Sequence, residues 1–212
     1  PDRRPAVKTT NRLAPLSAVA LALALAACSS GSGGVDWVDY GDDPMQNPEY
    51  MAAMMAAGTP GPQHAALAAR AGAWNVDGKM WMEPGGDAMP MPATAQVNVL
   101  LGGRYIVETF KSDFMGMPFE GRLVTGYDNV AGEYWSVWFD NMSTGCWISR
   151  GKEVSPGKVV YEGTASDVLT PKGRPVRMTT TSNGDGSYTM KMFDSNKQKG
   201  EFQSMELLYK RG

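Results

Sequence analysis

Methionine is the most frequent side chain here with chemistry of its own: 15 of 212 residues, several in Met-x-Met pairs at Met80 and Met82, Met89 and Met91, Met115 and Met117, and Met190 and Met192. Soft thioether sulfurs select Cu(I), and such pairs are what a copper carrier uses. Residues two apart on a strand share a face for purely structural reasons. Flexible thioethers that fill a core or line an adaptable apolar cavity give the same spacing. Cu(I) binding is therefore the weaker alternative, and no metal site is assigned.

Catalysis has little to draw on. His64 is the single histidine, so a multi-histidine zinc site is impossible and a Ser-His-Asp triad would have to take its base from the start of a helix. A histidine in that position reads as a capping or packing residue. Asp128 and Asp140 bracket one strand and, at ~3.3 Å per residue, lie tens of ångströms apart, far beyond the separations glycosidases use. Cys146 sits beside Trp147 with no basic residue before Arg150, which leaves its thiol without an activating group. No catalytic residue is assigned and no cofactor is expected. The formal net charge is −2, with no Lys/Arg cluster, which argues against nucleic acid.

Cys28 offers different chemistry. Leu25-Ala26-Ala27-Cys28 reads as a lipobox at the end of a basic segment (Arg3, Arg4, Lys8, Arg12) and an apolar run from Leu13 to Ala27, the layout of a secretory signal. That run is shorter than the roughly 20 residues of a membrane span. The expected division is a signal peptide over 1–27, a lipidated Cys28 with a flexible tether over 28–61, and a folded domain over 62–212. Cleavage would leave 16 Lys and Arg against 21 Asp and Glu, a net charge of −5. With Cys28 acylated, Cys146 has no partner in the chain, so no disulfide is expected. Ser29 follows the cysteine, where Asp tends to retain lipoproteins at the inner membrane. The expected location is thus the bacterial envelope, on the outer membrane facing the periplasm.

Two short helices precede the domain proper. Asn47 caps one with Pro48 at its first position, stopping at Gly58, and a second starts at Pro62. Ten strand-like segments then follow: Trp74 to Met82, Ala95 to Leu101, Arg104 to Phe114, Phe119 to Asp128, Glu133 to Asp140, Gly145 to Lys152, Lys158 to Asp167, Pro175 to Ser182, Ser187 to Asp194 and Glu201 to Lys210. Gly102-Gly103 suits a two-residue hairpin, and no crossover helices intervene. The expected fold is all-β, an up-and-down antiparallel barrel of about ten strands with a short N-terminal helix closing one end. Asp113, Asp140, Asp167 and Asp194 recur every 27 residues, one strand pair apart, and should gather at a single rim with Glu83 and Asp87.

The run Pro60-Gly61-Pro62-Gln63-His64, then Leu67, Gly72-Ala73-Trp74, Leu100-Leu101-Gly102-Gly103-Arg104, Gly116-Met117-Pro118-Phe119-Glu120-Gly121 and Gly126-Tyr127-Asp128-Asn129 resembles the bacterial proteins grouped as domain of unknown function 1579, over about residues 60 to 211. The resemblance lends no activity but implies a calycin-like barrel. Gly72 and Trp74 also resemble the Gly-x-Trp that opens the first lipocalin strand, and Arg211 the basic residue that ends the last. That similarity implies a guanidinium lying over the indole at the closed end, a cation-π contact of about 0.5 to 2 kcal/mol.

Strand parity predicts an interior rich in Met and Tyr. The candidate ligand-contacting residues are Met80, Met82, Tyr161, Met178, Tyr188, Met190, Met192 and Met205. The third to fifth strands are ambiguous because apolar residues occupy both faces. Two functional classes follow: a lipid-anchored module holding a small apolar or amphiphilic ligand, or an envelope structural protein with a filled barrel. An acidic rim would favour neutral or cationic amphiphiles over fatty acids.

Overall fold

The computed structural model describes residues 35–212. The expected signal peptide over 1–27, the expected lipidation site Cys28 and the Ser/Gly stretch of the expected tether, residues 29–34, lie outside them. Tyr40–Gly212 form one compact unit.

Helix α1, Pro48–Gly58, begins as its residues dictate: the Asn47 side-chain oxygen accepts from the backbone N–H groups of Glu49 and Tyr50, with Pro48 in the first turn. It buries no residue. Its last carbonyls are satisfied from turns of the barrel instead, by Asn129, which donates to Ala56, Ala57 and Thr59, and by Arg104, which donates to Gly58 at 2.6 Å. Helix α2, Pro62–Ala68, buries His64 and Leu67.

Eleven strands follow: β1 Gly72–Met80, β2 Met89–Pro90, β3 Ala93–Leu100, β4 Tyr105–Phe114, β5 Met117–Asp128, β6 Glu133–Asp140, β7 Trp147–Ser155, β8 Lys158–Ala165, β9 Arg174–Ser182, β10 Tyr188–Asn196 and β11 Gly200–Arg211. Every pairing from β3 through β11 joins sequence neighbours in antiparallel fashion, β3 returns to β1, and β1 pairs with β11 from Trp74↔Arg211 to Met80↔Met205. The sheet is a closed ten-stranded barrel, and β2 is a two-residue addition to β1. Closure removes the exposed edges that an open meander would present.

Because the strands alternate in direction, the turns fall at two ends. The termini of β1 and β11 at Gly72 and Arg211 lie at one, with α2 packed on β4 and β5. The hairpins after β4, β6, β8 and β10 lie at the other, the mouth, and so do Asp113, Asp140, Asp167 and Asp194. Most strand limits differ from expectation by one to three residues, β7 for example running Trp147–Ser155 and β8 ending at Ala165, and two departures change the reading. The first strand stops at Met80, and Met82 is solvent-exposed at 63%, because Glu83 and Pro84 begin a loop and end the alternation. The expected two-residue Gly102-Gly103 hairpin is a longer turn with Leu101 itself at φ 47, held by Arg104 donating to the Leu101 carbonyl at 3.0 Å.

Candidate functional site

The closed end is filled. Trp74 is buried, its indole N–H donates to the Arg70 carbonyl at 2.9 Å, and the Arg211 guanidinium lies 4.0 Å from the ring centroid. The same guanidinium donates to the carbonyls of Ala71 and Ala69, at 2.6 and 2.7 Å, so the last strand ties down the chain entering the first. Gly72 permits this: its φ is +125, and a Cβ there would stand 3.0 Å from an Arg211 nitrogen. Tyr188 and Tyr209 stack at 4.2 Å between centroids, with Trp74 edge-on to Tyr188 at 5.0 Å.

His64 belongs to this plug. Its Nδ1 accepts from the Gly61 N–H at 3.0 Å, and its Nε2 donates to the Tyr127 carbonyl at 3.1 Å. One nitrogen accepting and the other donating describes a neutral imidazole used for structure. Cys146 is a free, exposed thiol. Among the described residues no cluster of three or more His, Cys, Asp or Glu could hold a metal.

The mouth half is hollow. A cavity of about 300 Å³ is walled by methionines and aromatic rings, among them Met80, Met91, Phe110, Trp138, Met190 and Met205. Its volume is at the lower end of small-molecule sites. Of the residues that parity singled out, Met80, Met178, Met190, Met192 and Met205 border this cavity. Tyr161 and Tyr188 do not; with Arg70 and Thr180 they line a crevice of about 10 Å³ behind it, room for no more than one water. Met82 lies outside altogether, on the loop beyond β1. The Met-x-Met pairs do not act as units: Met115 and Met117 are exposed at the β4–β5 turn, and only Met190 and Met192 both face the cavity.

Sequence reasoning missed several lining residues, Phe110, Phe119 and Trp147 among them, and three of the missed residues shape the site most. Met91 follows the short β2 and turns into the barrel, its N–H donating to the Gly78 carbonyl at 2.8 Å. A Cβ at Gly78 would lie 2.2 Å from the Met91 carbonyl oxygen, so that glycine makes the crossing possible. Trp138 packs on Phe119 and Phe110 at 6.1 and 6.2 Å and donates to Asp140 at 2.7 Å.

Glu108 is the third. It is 4% exposed, between the buried Ile106 and Phe110 on the inward face of β4, and it lines both the cavity and the crevice. One carboxyl oxygen accepts from the Tyr209 hydroxyl at 2.8 Å, and the other faces the Tyr188 hydroxyl at 3.5 Å. Burial pushes its pKa up to about 7, against the opposing pull of those hydroxyls and of Arg70. Its charge in turn adds to burial in holding the Tyr209 hydroxyl well above its ordinary value. The signal was the parity of an acid with two apolar neighbours at i−2 and i+2, on a strand whose faces the composition did not separate.

The rim is less acidic than the four aspartates suggest. Arg174 is held by Asp194 in a two-pronged pair at 2.6 and 2.7 Å and also bonds Asp167. Asp167, mainly through the Thr170 N–H, is drawn down to about 2. Asp113 and Asp140 accept from their own turns, at Gly116 and Met142. These carboxylates are turn formers and ion-pair partners more than a free field.

No curated protein matches the chain. Residues 59–211 match the family described as Protein of unknown function (DUF1579), the stretch running from the end of α1 through the last barrel strand, and the chain belongs to that family.

Proposed function

We propose that this is a lipid-anchored protein of the bacterial envelope whose barrel binds a small apolar or amphiphilic molecule in its mouth half. One observation carries the reading: side chains fill the closed end to leave about 10 Å³ but leave about 300 Å³ beside the methionines. Burial of a ligand there contributes about 25 cal/mol per Å² of apolar surface, and unbranched thioethers adapt to irregular shapes. The anchor is Cys28, whose two or three acyl chains give stable membrane residence where one gives marginal binding.

The ligand reading is tested by titrating the full chain carrying Cys28→Ala with Nile red, following dye emission and Trp138 and Trp147 quenching. Saturable binding that Met205→Trp abolishes, with the thermal transition retained, supports the cavity. Binding indifferent to that substitution sinks it. The anchor is tested separately: in its host, Cys28→Ala should leave the membrane fraction and lose the acyl mass.

A further inference from the structure

Buried carboxylates in proteins are neutralised by a proton or paired with a cation. Among the described residues no cation is in contact with Glu108. Its two hydrogen-bond donors are the hydroxyls of Tyr209 and Tyr188, and Arg70 acts on it from a distance, donating to Thr180 and lying 5.0 Å from the Tyr188 ring centroid. Its neighbours across the sheet are apolar, Val97 on β3 and Leu123 on β5. The remaining side of Glu108 opens on the methionine-walled cavity.

The two other charged side chains on the wall, Asp140 and Arg177, stand toward the mouth and are already engaged, Asp140 by Trp138 and the Met142 N–H and Arg177 by Glu201, so at the base of the chamber the Glu108 carboxyl is the charged group left to read a ligand's head. We propose that Glu108 is the head-group site of the barrel, and that the ligand is a small amphiphile with a primary or secondary ammonium, bound head-inward with its tail toward the mouth. An ammonium supplies the missing cation through a charge-assisted hydrogen bond inside a low-dielectric wall. A carboxylate or phosphate head would place like charges together at the base. This moves selection for cations from the rim, where Arg174 already occupies two of the aspartates, to the floor of the cavity. The inference rests on the cavity reading, and its test separates the two.

The probes are octylamine, octanol and octanoate, identical in tail and differing in head, titrated calorimetrically against the full chain with Cys28→Ala at pH 7.5. Octylamine should bind at least tenfold tighter than octanol, and octanoate weakest. Glu108→Gln should lower octylamine affinity about tenfold and leave octanol within twofold. A second measurement needs no variant at this position. Octylamine affinity should rise roughly tenfold between pH 5.5 and 8.5 as Glu108 ionises while the amine stays protonated, and octanol affinity should stay flat. Equal binding by all three probes, or parallel pH profiles for octylamine and octanol, overturns the head-group site and leaves the cavity standing. Binding by none of them overturns both.

Discussion

The two halves of the barrel interior are built from the same alternating strands and end in opposite states. Toward the closed end the inward residues are large and planar: Trp74, Tyr161, Tyr188 and Tyr209, each nearly inaccessible. Toward the mouth they are methionines and rings that border empty space. A ring stacked on a ring or laid over a glycine leaves no gap, whereas a thioether settles along a wall without filling the middle. Backbone geometry makes the barrel, and side-chain rigidity decides where it is hollow.

That contrast can be broken most decisively by truncation. Trp74→Ala should cost about 4 kcal/mol, since the surrounding plug cannot collapse into the void. Met192→Ala, beside space that already exists, should cost about 1 kcal/mol. Denaturant midpoints of the two variants make the comparison, and equal losses would show that the mouth is packed as tightly as the base.

Glu108 divides the halves and should give the next largest effect. Its carboxyl lies near 4.5 in the unfolded chain and at about 7 in the barrel, so between those values the folded protein holds a proton that the unfolded chain has lost. The stability linked to that proton is complete below pH 4.5, falls as pH rises, and is gone above 7, a span on the order of 3 kcal/mol. Glu108→Gln should flatten urea midpoints measured from pH 4.5 to 8. An unchanged slope would mean that the titration lies elsewhere.

Added methyl groups probe the contrast from the other side. A Cβ at Gly151 would stand 2.6 Å from the Tyr161 ring, which is 1% exposed and has nowhere to go. One at Gly121 would stand 2.2 Å from Trp138, whose far side borders the cavity. Despite the worse initial clash, Gly121→Ala should cost about 1 kcal/mol against about 3 for Gly151→Ala, with a shift of Trp138 emission in the first alone. The smallest effect belongs to the rim. Asp167, normally near 3.8, is drawn to about 2, so its contribution is present above pH 4 and is lost as pH falls through 2. Asp167→Asn should therefore lower the thermal transition at pH 6 slightly, and most of that effect should be gone by pH 2, opposite in sign to the acid response of Glu108.

The strand plan was legible because hairpin connectors and alternation are local properties. The 27-residue recurrence of Asp113, Asp140, Asp167 and Asp194 placed all four at one end for the same reason. The cavity floor was not legible. Glu108 meets Tyr209 across 101 residues of sequence, and nothing local to β4 announces a partner on β11. Met82 misled because parity assumes that the strand continues, and a strand's end is set by the loop that follows. Tyr161 and Tyr188 share the inward face with the cavity methionines, as parity requires, but height along the barrel, which parity does not encode, puts them in the plug.

The pairing of β1 with β11 also sets the order of folding. Each other barrel pairing joins segments next to each other along the chain, while Trp74↔Arg211 joins the first barrel strand to the last. Closing so long a loop carries an entropic cost that no local hairpin repays in advance. Nine hairpin-like pairings can form early, then, but the seam waits for the final strand, and until Arg211 reaches Trp74 the sheet carries two sticky edges. The interval before that seam closes is when a nascent copy is most exposed to pairing with another.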